Sequence, residues 1–276
     1  MENGCPICGC VCNVEATFAE CSIYRCTNCD HCFTDLKVIN DGASYSEDYY
    51  NFDHKKWFDN PNIKLFDTIG KIINGKIEKR SLIEIGCGKG DFLRYVRSKN
   101  HSLDLTGIDF RKNEDIDGIR FVQGDAFSIQ YAMKYDIVVT LAVIEHMPDP
   151  HAYVDLLKNI CAANGLIIIM TVNDRSILYK ISRLLNRLGI DGPYKRLYAK
   201  HHINHFNHSS LKQLIGSHGL VNVRTINHNV PFTAIDTGVI PHFGDVFVRL
   251  GIMMTFLFGR ITGRTYLQTV ICKKVN

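Results

Sequence analysis

The sequence predicts an open α/β fold built on a parallel sheet, preceded by a small cysteine-rich metal module. Three observations predict it. From Ser81 onward, short apolar runs alternate with helical stretches, the order expected when crossover helices connect parallel strands. The first run, Leu82 to Ile85, leads directly into Gly86, Gly88 and Gly90 and then a helix start; open sheets bind ligands at such strand-to-helix turns. Eight of the eleven cysteines fall within the first 32 residues.

Composition narrows the class. At 276 residues and 46% hydrophobic, the chain can bury the core of one ordinary enzyme domain and carry an appendage. A formal charge of +4 is too mild to imply nucleic acid, because phosphate tracking needs a clustered basic face. No charged-then-apolar leader precedes the cysteines, so a secreted disulfide framework is not expected, and in a reducing cytosol crowded cysteines more often hold metal. A cytoplasmic, soluble protein is expected. No apolar run reaches the roughly 18 residues that span a bilayer; the nearest, Leu250 to Phe258, is short and followed by Arg260.

Residues 1–40 form the module. Cys5-Pro-Ile-Cys8 and Cys26-Thr-Asn-Cys29 are two C-x2-C pairs separated by 17 residues, which lets two tight turns present four thiolates tetrahedrally to one Zn2+. Cys5, Cys8, Cys26 and Cys29 are the expected ligands, in a closed and therefore structural site. Cys10, Cys12, Cys21, Cys32 and His31 are surplus; each can replace a ligand, but small buried apolar residues or bystanders are the commoner fate. Residues 41–80 then carry Tyr45, Tyr49, Tyr50, Trp57, Phe58, Leu65, Phe66, Ile69, Ile72 and Ile73 at three-to-four spacing, which predicts helices leading into the main domain.

The main domain, 81–276, begins with the strand at Leu82–Ile85 and continues with strands at Leu105–Ile108, Ile119–Val122, Ile137–Leu141 and Leu166–Met170. Gly165 and Gly219 each precede an apolar strand, where a helix ends and the chain reverses. The glycine turn is not a dinucleotide fingerprint, which would need glycine where Asp91 stands, nor a P-loop, which would end G-K-[ST]. Asp91 would also repel a pyrophosphate seated on that helix N-terminus. The turn favours a ligand without phosphates.

Four segments together resemble the class I S-adenosylmethionine (SAM)-dependent methyltransferases. They are the E-x-G-x-G-x-G turn from Glu84; Thr106-Gly-Ile-Asp-Phe110; Phe121-Val-Gln-Gly-Asp-Ala126; and Tyr135 to Pro150, with its E-H-x-x-D-P signature. The resemblance implies a Rossmann-like seven-stranded sheet and a SAM pocket made by Glu84, Gly86, Cys87, Gly88, Gly90, Asp109, Phe110, Asp125, Ala126 and Leu141. In it Asp109 takes the ribose hydroxyls, Asp125 the adenine amino group, and Glu84 faces the methionine amino group or orients the loop. Phe110 packs on the adenine, and Cys87 is a spacer. A lone Asp more often caps a helix; order and spacing of the four segments outweigh that. One departure is evident: only nine residues separate Asp109 from Ile119, too few for the usual crossover helix.

After the fifth strand, an insertion at 174–200 carries seven Lys or Arg and one acid beyond Asp174. Its residues Ile177, Leu178, Ile181, Leu184, Leu185 and Leu188 fall on one helical face. It is either a solvated basic helix with its apolar side on the sheet or a basic lid, which would suit an anionic acceptor. His201-His-Ile-Asn-His-Phe206 then resembles the H-x-x-H-F element of a subfamily that carries N-terminal zinc ribbons and includes sugar and polysaccharide methyltransferases. Removing a hydroxyl proton during methyl transfer needs a base; His146 is the first candidate and His202 and His205 the others, with Glu145 able to orient cofactor or base. Val246 to Phe258 is read by default as a core helix, with a dimer surface or peripheral membrane contact as alternatives.

The leading expectation is O- or C-methylation of a sugar, nucleotide sugar or glycan. An rRNA or tRNA methyltransferase docking RNA through the module is the alternative. Against it, the first 40 residues hold five acids to Arg25 and Lys37, which does not suit phosphate contacts, and no N-P-P-[YF] motif ends the fourth strand. A non-catalytic zinc-binding adaptor is the third reading, opposed by the intact glycines and carboxylates.

Overall fold

The computed structural model describes residues 4–36, 55–75, 81–198, 202–235 and 242–275. The expected boundary near residue 40, and Tyr45, Tyr49, Tyr50 and His201, lie outside the described residues.

In chain order the elements are strands β1 (Cys12–Thr17), β2 (Cys21–Cys26) and β3 (Cys32–Leu36); helices α1 (Lys55–Asp59) and α2 (Ile63–Asn74); β4 (Ser81–Ile85), α3 (Asp91–Lys99), β5 (Asp104–Asp109), β6 (Ile119–Gln123), β7 (Tyr135–Leu141), α4 (Pro150–Ile160) and β8 (Cys161–Val172); then α5 (Ile177–Arg187), α6 (Gly192–Tyr198), β9 (Asn204–His205), α7 (His208–Ser217), β10 (Leu220–His228), α8 (His242–Thr262) and β11 (Leu267–Lys274). Seven strands form one sheet in the order β10-β11-β8-β7-β4-β5-β6. Its β4 to β8 members run parallel, and β11 inserts antiparallel between β8 and β10. This is the Rossmann-like α/β sheet that the sequence predicted. The central strand β4 is buried along its whole length, as a strand covered on both faces must be.

The helices start where side chains can cap them. Asn62, Asp149, Ser176 and Asn207 each accept a hydrogen bond from a first-turn backbone N–H of α2, α4, α5 and α7 respectively, satisfying donors that a helix cannot satisfy itself. The short link from β5 to β6 holds no helix. Instead Asn113 Nδ2 donates to the Gly88 carbonyl at 2.8 Å, and the Arg97 guanidinium donates to the carbonyls of His101, Leu103 and Gly118. Polar side chains thus close the wall that a crossover helix would otherwise form.

The cysteine-rich segment is not a free bead. Its antiparallel strands β1, β2 and β3 are extended by β9 of the main domain, with Cys32 opposite His205 and Phe33 opposite Asn204. Beneath this seam Asp174 is fully buried, with Arg25 of β2 at 2.8 Å, Arg183 of α5 at 2.9 Å, and the Tyr198 hydroxyl donating to it. Burial alone would raise the Asp174 carboxyl; the two guanidinium groups outweigh it and hold the group below its ordinary value.

Two expectations about apolar faces are corrected. On α5 the buried residues are Tyr179 and Ser182, whereas Ile181, Leu184 and Leu188 are 40%, 56% and 69% exposed. The inward side of α5 is taken by Tyr179, Ser182 and the Arg183 that reaches Asp174, so Ile181, Leu184 and Leu188 face out while Ile177, Leu178 and Leu185 are half-buried. The segment from Val246 to Phe258 is not a core helix either: it belongs to α8, of which Ile252 and Phe256 pack on the core while Leu250, Met253, Met254, Leu257 and Phe258 are exposed.

Candidate active site and metal centre

The carboxyl ends of β4, β5, β6 and β7 open into a cavity of about 290 Å³. Glu84, Gly86, Cys87, Gly88, Asp109, Phe110, Asp125, Ala126 and Leu141 line it, together with His146 and His202. Gly90 and His205 do not.

The glycine turn is shaped by close approach. Gly86 has φ +73°, and a Cβ there would sit 2.4 Å from Val143 Cγ2; only glycine fits both the dihedral and the space. Gly90 supports the turn from outside the cavity. It caps α3 with φ +78°, and its missing Cβ makes room for the Phe121 ring. Asp109 Oδ2 accepts the Gly88 N–H at 2.7 Å and Oδ1 the Arg111 N–H at 2.8 Å, so the acid that ends β5 is fixed by the loop it faces. Asp125 accepts from the Phe127 N–H at 3.0 Å, the capping role of a loop Asp, while still lining the cavity. Phe110 is half-exposed at the rim, and Cys87 is buried, its thiol pushed up by burial and by the charges of Glu84 and Asp109. That thiol is a packing group.

Glu84 is the unusual member. It is 3% exposed, and its Oε2 finds no hydrogen-bond partner among the described residues. Burial first, then Asp109 and Asp91, push its carboxyl well above the ordinary range. An orphaned buried carboxylate is costly unless a cation or donor meets it. The amino group of SAM is such a donor, and Asp109 lines the same cavity, so the residues present fit that cofactor.

Beyond the tip of β7, Ala142 is held at φ +60°, and the short helical turn Ile144–His146 follows. Glu145 is 1% exposed and accepts from the Thr171 hydroxyl at 2.8 Å; burial raises it to about 7, against the lowering effect of its hydrogen bonds. Its backbone carbonyl accepts the Ile203 N–H at 3.0 Å, which draws His202 beside His146: the two rings meet edge to face at 4.9 Å. One ligand atom each of Glu145, His146 and His202 lies within 4.8 Å of the others, close enough for one cation to reach all three.

His205 stands apart. It is fully buried under the module, its Nε2 2.9 Å from the Thr34 hydroxyl, which also lies 2.6 Å from the Tyr198 carbonyl. The single hydroxyl proton goes to that carbonyl, so Nε2–H of His205 donates and the tautomer is fixed. Burial lowers this imidazole to about 3. It is a seam residue and has no access to the cavity.

Sequence reasoning left out the wall opposite the glycine turn. Trp57 and Phe58 of α1, Leu65 and Phe66 of α2, Phe127 and Tyr266 all line the cavity, and Lys89 of the turn sits 5.8 Å above the Phe58 ring. Their three-to-four spacing predicted helices but not what those helices cover. None of residues 174–198 lines the cavity.

In the module the Sγ atoms of Cys5, Cys8, Cys26 and Cys29 converge within 4.8 Å of one another, with Cys8 3.4 Å from Cys26 and 3.6 Å from Cys29, and Cys5 3.6 Å from Cys29. Tetrahedral Zn–S bonds of about 2.3 Å place sulfurs roughly 3.8 Å apart, so the set needs little adjustment to close on an ion. Cys21 and Cys32 are fully buried core residues. His31 holds the seam, 3.3 Å from Ser210 Oγ and 3.2 Å from Asn204 Oδ1.

The profile of the family described as "Methyltransferase domain" matches residues 56–225, more than half the chain. Among curated proteins, the sequence is similar to ubiquinone biosynthesis O-methyltransferases: that of Nitrosomonas europaea at 23% identity, covering 52% of this chain and 69% of the relative, and that of Psychrobacter cryohalolentis at 25%, covering 37% and 45%. The chain spans about half the length of most of the curated relatives it matches. Among solved structures, the plantazolicin methyltransferase BpumL in complex with a triazolic desmethylPZN analogue and SAH superposes with a TM-score of 0.53 at 17% identity, over 84% of this chain and 90% of that one.

Proposed function

The chain belongs to the methyltransferase-domain family, and from that premise we propose that it is a SAM-dependent methyltransferase acting on a hydroxyl oxygen of a ring-shaped small molecule, with His146 as the base. The observation that carries the oxygen reading is the cluster of Glu145, His146 and His202 at the cavity. A hydroxyl must lose its proton as it attacks, and only a positioned base at the acceptor side makes that step easy.

When bound, SAM supplies a methyl group on a positively charged sulfur. In this reading Glu84 would hold the amino group, Asp109 the ribose hydroxyls, and Asp125, Ala126 and Phe110 the adenine. His146 would take the proton of the acceptor hydroxyl as that oxygen receives the methyl group that SAM would supply. His202, edge-on to it, orients the ring, and the Glu145 carboxylate favours the imidazolium that results. Aromatic walls from Trp57, Phe58, Phe66 and Tyr266 exclude water and stack on a flat ring.

For the acceptor, the sugar-containing compounds expected from the sequence bear suitable hydroxyls, but the case for an anionic one rested on a basic lid. With residues 174–198 outside the cavity and its wall aromatic, a neutral acceptor is the better fit. A phenolic ring is the second reading, favoured by that wall and by the names of the curated relatives. At the module, we propose one structural zinc held by Cys5, Cys8, Cys26 and Cys29.

The test is transfer of labelled methyl from SAM into a cell extract, separated into RNA, sugar-nucleotide and glycan, and phenolic pools. Label in either small-molecule pool, resistant to ribonuclease, is expected, and which pool decides the acceptor class. Ribonuclease-sensitive label would replace this reading with RNA methylation; SAM binding without transfer to any pool would leave the non-catalytic adaptor. His146→Ala should leave SAM affinity unchanged and lower turnover by about 10²- to 10⁴-fold; full turnover would remove His146 as the base. Elemental analysis should find one zinc per chain.

A further inference from the structure

A helix that is apolar around most of its circumference is normally buried. In α8 only Thr255 and Gly259 are buried in the described part, with Ile252 and Phe256 partly so. Leu250, Met253, Met254, Leu257 and Phe258 are between 42% and 52% exposed, and Ile261 is 73% exposed. Neighbouring α5 adds the outward-facing Ile181, Leu184 and Leu188. No helix among the described residues is long and apolar enough to cross a membrane. We propose that α8 and α5 form a docking face that lies on the surface of an anionic lipid bilayer.

Charge selects this occupant over a second copy of the chain. The two helices and their flanks carry Lys180, Arg187, Arg249, Arg260 and Arg264, against Asp191 and Asp245, and Asp191 is engaged by Lys195 at 2.7 Å. Partial burial, then Arg264, Arg183 and Arg175, depress the Lys180 ammonium below its ordinary value; a cluster that crowds one of its own cations gains from anionic headgroups. A two-fold pairing through the same face would set these cations against their own copies. Apolar residues entering the acyl boundary with cations at headgroup level is the arrangement of helices that lie in a membrane interface. Phe256 on the inner side of α8 stacks at 6.2 Å on Tyr266, which lines the cavity, so the docking helix stands one side chain from the active site.

Co-sedimentation of the full chain with vesicles tests this, using phosphatidylcholine alone and phosphatidylcholine mixed with phosphatidylglycerol. Binding is expected to the anionic vesicles, to weaken as salt screens the cations, and to fall by about tenfold or more in Leu250→Glu/Leu257→Glu. SAM affinity, unchanged in that variant, shows that it is folded. Failure of the wild type to bind anionic vesicles would overturn the proposal, as would equal, salt-insensitive binding to neutral ones. A wild-type dimer that the double variant splits, without vesicle binding, would assign the face to a second copy instead.

Discussion

Asp109 accepts the backbone N–H groups of Gly88 and Arg111, so it is fixed before any ligand arrives. Asp109→Ala removes the brace on the glycine turn and, in the proposed site, the contacts to the ribose. At about 1.5–3 kcal/mol for hydrogen bonds to a charged group, SAM should bind roughly 10- to 100-fold more weakly by titration calorimetry; an unchanged affinity would mean that the ribose lies elsewhere. Glu145 gives a prediction in pH. Its folded value of about 7 stands above the ordinary 4.5, so the fold holds the proton more tightly than the unfolded chain does. Below about pH 4.5 that costs nothing; stability falls as pH rises toward 7, and above it the full penalty of about 3 kcal/mol is present. Glu145→Gln, measured without cofactor by urea unfolding, should erase this fall relative to the wild type; parallel curves for the two proteins would refute it. The positions of Glu84 and Asp109 were legible because a strand, a turn and the next strand end impose fixed spacings. The split between His202 and His205 was not. In extended backbone side chains alternate faces, so residues three apart point opposite ways, and one faces the cavity while the other faces the module.

At the scale of elements, the β3–β9 seam is small in length and dense in buried polar contacts. Arg25 and Asp174 sit at its centre, and Arg25→Ala strands a buried carboxylate with Arg183 as its remaining cation. Removing one partner of a buried pair costs about 3–5 kcal/mol, whereas Lys195→Ala, which breaks an exposed pair, should cost less than about 1 kcal/mol. Urea unfolding of both variants checks the contrast, and equal small losses would show that Asp174 is satisfied without the module. The strands β4, β7 and β8 could be read from the sequence because parallel strands buried on both faces are near-continuous apolar runs. β9, two residues long, carries no such pattern and exists because β3 needs an edge to pair with. The outward stripes of α5 and α8 escape a sequence reading for a related reason: periodicity locates an apolar face but not what covers it, and on α5 the inside is held by Tyr179 and Ser182. Trp57 and Phe58 reach the cavity through contacts distant in sequence, which no local pattern encodes.

For the molecule as a whole, these seams make the cysteine-rich module part of the main domain's stability. His151 Nε2 lies 3.1 Å from the carbonyl of Ile7, inside the first cysteine knuckle, and its Nδ1 contacts His218, which pairs with Asp155 at 2.6 Å. The knuckle is thereby tied to α4, as β3 is tied to β9. Stripping zinc with a chelator should therefore do more than melt a few strands: it releases Arg25 from Asp174 and uncovers His31 and His205. Calorimetry should show one cooperative transition moving to lower temperature, with weaker SAM binding; two transitions, the larger unmoved, would show that the module unfolds alone. Acid should act on the same seam. Burial holds His31 at about 4 and His205 at about 3 in the fold, below the roughly 6.5 of an unfolded chain, so the unfolded state takes up protons first as pH falls. The stability that their neutral burial permits is complete above about pH 6.5 and lost below it, by about 2 kcal/mol for each histidine at pH 5. His31→Gln can keep hydrogen bonds to Ser210 and Asn204 without titrating, and its melting temperature should fall less between pH 7.5 and pH 5 than that of the wild type. An identical fall in both would assign the acid lability to the cysteine site, where protons compete with the metal for the thiolates.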